Sequence, residues 1–132
     1  MRTAYRIAAV VSWVCVAALT GCATPGEAPS VSDAFDRPAE RHLLLGLRAY
    51  DEANYADAER YLGQALSLKL STARDRATAH KTLAFIYCTS GRTPECGAAF
   101  RAARTADPGF QLNKAEAGHP VWGPVYEASR QP

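Results

Sequence analysis

Leu83-Ala84-Phe85-Ile86-Tyr87-Cys88-Thr89-Ser90-Gly91-Arg92-Thr93-Pro94-Glu95-Cys96-Gly97-Ala98-Ala99-Phe100-Arg101-Ala102-Ala103, residues 83–103, decides the fold. Apolar residues at 96, 99, 100 and 103 recur at i, i+3/i+4 and i+7, the stripe of a helix with one buried face. Gly91 suits the C′ position that ends a preceding helix, and Thr93-Pro94 supplies an N-cap and a first helical residue for the next. The stretch therefore reads as a turn between two antiparallel helices. The same order occurs earlier as Leu45-Gly46, Tyr55, Ala58, Leu62 and Ala65, and the small residues Gly46 and Ala84 stand 38 positions apart. Gly46 and Ala84 on the first helix of each unit, and Ala58 and Cys96 on the second, are small where paired helices must approach closely. A large side chain there would force them apart.

Working outward, this spacing resembles the tetratricopeptide repeat, a two-helix unit of about 34 residues. The extra residues fall in a link around 70–76, where Thr72-Ala73-Arg74-Asp75 has capping-box form and starts a helix. Helices are predicted over 38–53, 55–68, 73–90 and 94–106, and no segment shows strand alternation. Two repeats leave the last helix with an uncovered face, which solenoids hide with a cap. The segment after Asp107-Pro108-Gly109 is the candidate: Asn113-Lys114-Ala115-Glu116 offers another N-cap, and Trp122, Val125 and Tyr126 are expected to pack on the Phe100 face as a short final helix.

The first residues follow a different plan. Arg2 and Arg6 precede thirteen positions, 7–19, of which only Ser12 is strictly polar, and Leu19-Thr20-Gly21-Cys22 follows. At about 1.5 Å per residue that run spans roughly 20 Å, short of the ~30 Å hydrocarbon core, which favours a removable signal peptide over a transmembrane helix. The last four residues resemble the lipobox of bacterial lipoproteins, which implies cleavage between Gly21 and Cys22 and a diacylglyceryl group, later acylated, on Cys22. Ala23 rather than Asp after Cys22 implies, by resemblance to lipoprotein sorting in Gram-negative bacteria, an outer-membrane anchor facing the periplasm. Residues 23–37, rich in Pro, Gly, Ser and Ala, read as a flexible tether. The plan is thus a signal peptide (1–21), a lipidated cysteine and tether (22–37), two helical hairpins (38–110) and a capping segment (111–132). The fold class is all-α.

Of four cysteines, Cys15 leaves with the leader and Cys22 carries lipid. Cys88 and Cys96 remain and flank one hairpin corner. In an oxidising compartment they are expected to form a disulfide, worth about 2.5 kcal/mol for so short a loop; two buried free thiols are the alternative.

One longer resemblance adds to this reading. Residues 80–92, then Glu95-Cys96 and Phe100-Arg101, then 115–126 with the block His119-Pro120-Val121-Trp122-Gly123-Pro124-Val125-Tyr126, resemble a family of small tetratricopeptide-repeat lipoproteins associated with type VI secretion, often labelled TssQ. The resemblance spans about residues 40–128. It implies an accessory envelope component of that contractile injection machine and supplies no mechanism.

Composition and motifs narrow the function classes. The chain has 132 residues, 48% hydrophobic and 21% charged, room for one small domain. Arg2 and Arg6 belong to the leader, so the remaining chain is near neutral and lacks the basic face that nucleic-acid binding uses. No Gly-rich phosphate loop, GxSxG or HExxH occurs, so neither catalytic residues nor a metal or other cofactor beyond the lipid is expected, and no small-molecule substrate. His42 and His80 fall at equivalent first-helix positions, where packing explains them, and His119 precedes Pro120 in a turn. Stacked hairpins present their first helices to a peptide or partner helix. By resemblance to other tetratricopeptide domains, the groove positions are Leu43, Leu47, Tyr50 and Asp51 in the first unit and Thr78, Lys81 and Phe85 in the second. Some of these can instead pack under the tether or the cap. The expected function is a lipid-tethered scaffold for protein partners of a secretion machine or the envelope; the alternative is a structural spacer that binds the cell wall.

Overall fold

The computed structural model describes residues 37–131, so the signal peptide, Cys22 and all but the last residue of the tether lie outside the described residues. The described chain is all-helical, with six helices: α1 Pro38–Asp51, α2 Tyr55–Ser67, α3 Ala73–Thr89, α4 Thr93–Ala106, α5 Lys114–Ala117 and α6 Gly123–Ser129. α1 pairs with α2 and α3 with α4, each pair forming a hairpin; α2 and α1 both touch α3, and α6 closes over α4.

Local side-chain and backbone hydrogen bonds start and stop these helices. The Asn54 side chain accepts from the Asp57 N–H at the start of α2, and Thr72 Oγ1 accepts from the Asp75 N–H at 2.9 Å at the start of α3. At α5, Asn113 Oδ1 accepts from the Glu116 N–H at 2.8 Å while Glu116 Oε2 accepts from the Asn113 N–H at 3.1 Å, a complete capping box. The two hairpin corners share one backbone motif. After α1 the Asn54 N–H donates to the Ala49 carbonyl at 2.8 Å and the Ala53 N–H to that of Tyr50 at 2.9 Å; after α3 the Arg92 and Gly91 N–H groups repeat this on Tyr87 and Cys88 at 2.8 and 3.1 Å. The C′ residue is left-handed in both, Ala53 at φ 57° and Gly91 at φ 73°. α1 consequently ends two residues before the predicted 53. α4 begins with Thr93 as its first residue after Arg92, so Thr93 is not the N-cap and Pro94 is the second residue. The corner motif already uses the Arg92 N–H, and the helix restarts at once.

Two apolar clusters share α3. The first joins Leu43, Ala58, Leu62, Ala65 and Leu70 to Ala79, Leu83 and Ile86; the second joins Ala84, Phe85 and Cys88 to Cys96, Phe100, Leu112 and Tyr126. α3 is thus buried on both sides, as expected for a central helix with small and apolar residues around most of its girth. The close approach anticipated at Gly46 is present: a Cβ there would lie 2.7 Å from Leu62 Cγ. Ala58, Ala84 and Cys96 are fully buried. Cys88 and Cys96 are joined by a disulfide across the second corner, with 5.2 Å between their Cα atoms. Arg92 reaches back to Glu59 with two hydrogen bonds of 3.0 and 2.7 Å, tying the second corner to α2, and the guanidinium holds the Glu59 carboxyl below its ordinary range. Ser71 Oγ donates to Glu40 Oε1 at 2.7 Å, tying the link between the hairpins to the start of α1.

The capping segment packs as expected at Tyr126, which is 3% exposed and meets the Phe100 ring edge-on at 5.2 Å between centroids. The Leu112 N–H donates to Tyr126 Oη at 3.3 Å. Val125 lies toward Gly97. Trp122 differs from expectation: it stacks on Phe85 at 4.4 Å rather than resting on Phe100. The reason is the tight turn into α6, where Gly123 sits against the Ala117 carbonyl with no space for a Cβ, which turns Trp122 toward α3 while Tyr126 faces α4.

Candidate partner-binding face

The seven predicted groove residues come from α1 and α3, which lie side by side, but they do not form one open floor. Leu43 is 6% exposed and belongs to the first core. Leu47 and Tyr50 are half-buried, and Asp51 is exposed at the end of α1. Burial, with Tyr55, Asp51 and Glu116 nearby, pushes the Tyr50 hydroxyl above its ordinary value. Phe85 is 6% exposed because Trp122 covers it. Lys81 is half-buried, its Nζ 2.6 Å from Glu116 Oε1 and 5.6 Å from the centre of the Phe85 ring.

Thr78 and Lys81 line an open cleft of about 350 Å³, together with Arg74 on α3 and Asp107, Phe110 and Gln111 of the chain between α4 and α5. Its lining is mostly polar. Thr78 Oγ1 donates to the Arg74 carbonyl at 2.9 Å, and Asp107 Oδ1 accepts from the Gly109 N–H at 3.0 Å. Lys81 is therefore shared between this cleft and the contact with Glu116.

Among the block residues, the His119 ring stacks on Trp122 with 3.4 Å between centroids and 4° between planes, so Phe85, Trp122 and His119 form a three-ring pile. His119 Nδ1 accepts from the Val121 N–H at 3.2 Å. Pro120 and Pro124 are exposed and shape the turn and the first turn of α6. The histidines do not converge: His42 Nδ1 donates to the Pro38 carbonyl at 2.7 Å and its ring faces Tyr61, while His80 is half-buried on α3, where burial holds its imidazole below the ordinary value. Among the described residues no group of three or more His, Cys, Asp or Glu side chains gathers as metal ligands would, and no helix is long and apolar enough to cross a membrane.

Sequence reasoning found Glu116 only as a helix-capping residue. Its second role, pairing with Lys81 across 35 positions, carries no local signal. Arg74 was likewise read only as part of a cap. Leu44, Leu45 and Leu68 of the first hairpin, whose exposure the sequence pattern does not mark, are 47%, 39% and 46% exposed.

The chain matches no family model, no curated protein and no solved structure.

Proposed function

We propose that this protein is an outer-membrane lipoprotein of a Gram-negative bacterium, anchored through Cys22 and facing the periplasm. There it acts as a tetratricopeptide-type scaffold that docks a protein partner and serves as an accessory component of a type VI secretion system. The observation that carries the docking role is the cleft of about 350 Å³ beside Thr78 and Lys81, on the first helix of the second hairpin, where the resemblance to tetratricopeptide repeats implies partner contacts. The leader and the Leu19-Thr20-Gly21-Cys22 sequence support the anchor, and the resemblance of residues 80–92 and 115–126 supports the secretion role. Tethering suits such a scaffold, because confinement to one membrane raises the local concentration of partners held in the same envelope.

Cross-linking in intact envelopes, with unsubstituted and Cys22→Ser proteins side by side, tests this reading. Membrane-complex or baseplate proteins of the secretion machine are expected to co-purify with the lipidated form and to be lost with Cys22→Ser. Recovery of abundant wall-linked proteins alone would overturn the docking role in favour of a spacer bound to peptidoglycan.

A further inference from the structure

Part of the face assigned to a partner is already filled by the chain itself. Glu116 holds Lys81 at 2.6 Å and Trp122 lies over Phe85 at 4.4 Å, so one ion pair and one ring stack seat the segment after α4 on α3. Tyr50 of α1 packs against the same cluster. The two contacts are coupled, since Trp122 Nε1 donates to the Glu116 carbonyl at 2.9 Å and presents ring and carboxylate together. Both partners in the ion pair keep about a quarter of their side-chain surface exposed, 26% and 22%, so water reaches the pair and can assist its opening.

We infer that residues 111–123 are an intramolecular occupant of the docking face. The partner this face takes is a peptide that offers a carboxylate to Lys81 and a flat aromatic ring to Phe85 in place of Glu116 and Trp122. Charge favours an acidic occupant. Lys81 and Arg74 both line the adjoining cleft, and the Arg74 guanidinium has no carboxylate partner among the described residues. Asp107 is the carboxylate in that lining, and its Oδ1 already accepts from Gly109. Tyr126, buried against Phe100 and Phe110, holds α6 on α4, so the parts of the segment that a competing peptide displaces are the Glu116 side chain and the Trp122 ring.

A tethered occupant competes at an effective concentration of about millimolar, and a free ligand binds more weakly in proportion to the fraction of faces left open. The inference rests on the docking role proposed above and names the chemistry of its ligand. Its test uses a fluorescein-labelled peptide copying residues 111–124, titrated by anisotropy into the chain from residue 22 onward carrying Cys22→Ser. Adding Glu116→Gln with Trp122→Ala is expected to tighten binding by about tenfold or more, as expected when a face occupied nine times in ten is opened. Adding Lys81→Met to that opened form should abolish binding, and a peptide carrying the same two changes should not bind. Equal affinity with and without the opening substitutions, or indifference to Lys81→Met, overturns the inference.

Circular dichroism checks that the opened form folds, and a second measurement avoids it altogether. In the chain from residue 22, Trp122 is the only tryptophan. A millimolar excess of the unlabelled peptide carrying Trp122→Phe should shift Trp122 emission to the red as the ring leaves Phe85 for water. Unmoved emission overturns the inference. If envelope cross-linking recovers a partner while both peptide measurements fail, this inference falls and the docking role stands; peptide binding with no partner recovered removes the assigned machine instead.

Discussion

The two hairpins are built on one plan and held together by different means. Their corners use the same hydrogen bonds, yet the first places Ala53 in the left-handed position and the second places Gly91 there. The first packs alanines and leucines and leaves Leu44, Leu45 and Leu68 substantially exposed; the second buries Phe85 and Phe100, is closed by a disulfide, and is covered by α5 and α6. The difference teaches that two helical hairpins can share a corner and a pairing yet differ in what fills and covers them.

The comparison can be broken most forcefully at Phe100, which is fully buried between Phe85 and Tyr126. Phe100→Ala should cost about 3–5 kcal/mol in denaturant unfolding, by lost transfer energy and the cavity left behind. Amide exchange should accelerate more in α4 and α6 than in α2; equal acceleration would show that the two cores melt as one unit.

Reduction of the Cys88–Cys96 bridge comes next. Loop-closure entropy for a separation of 8 positions predicts a loss of about 2.5 kcal/mol, read as a lower denaturation midpoint in reductant than in its absence. A midpoint that does not move would mean that the second hairpin rests on its aromatic packing alone.

The corners supply an opposed pair of smaller effects. Gly91→Ala meets no neighbouring atom within 4 Å, so its cost of about 1 kcal/mol comes from backbone conformation alone. Ala53→Gly should have the opposite sign and stabilise by about 0.5 kcal/mol, relieving the left-handed alanine against the greater unfolded-state freedom of glycine. Thermal melts of the two variants should move in opposite directions.

The smallest effect lies between the hairpins. Arg92 lowers the Glu59 pKa in the folded state, so the contribution of the pair is present above the unfolded glutamate value of about 4.3 and is lost as pH falls through the depressed folded value. Both side chains are more than one-third exposed, at 38% and 36%, so solvent screening keeps the effect small. Melts between pH 7 and pH 3 should show a slightly shallower acid loss for Glu59→Gln than for the unsubstituted chain.

Much of this fold was legible because it is local. The spacing of Ala58, Leu62 and Ala65, the caps at Thr72 and Asn113, and the turn at Gly91 each act within a few residues, and each lies where the pattern put it. Cys88 and Cys96 were legible as a pair because the corner between them is short. The candidate site was less legible. Leu43 and Phe85 look alike as apolar first-helix residues, yet one is buried within the first core and the other beneath Trp122. The direction Trp122 takes depends on how α6 leaves Ala117 at Gly123, and no periodicity encodes that.

By itself, the sequence determined an all-helical chain of two hairpins with a covering C-terminal segment, because helix periodicity, small residues at close crossings and capping chemistry are properties of neighbouring residues. Only the tertiary structure decided that Glu116 and Trp122 come to rest on Lys81 and Phe85. That contact joins residues more than thirty positions apart, and it forms through the geometry of a turn and the burial of a ring rather than through any spacing along the chain.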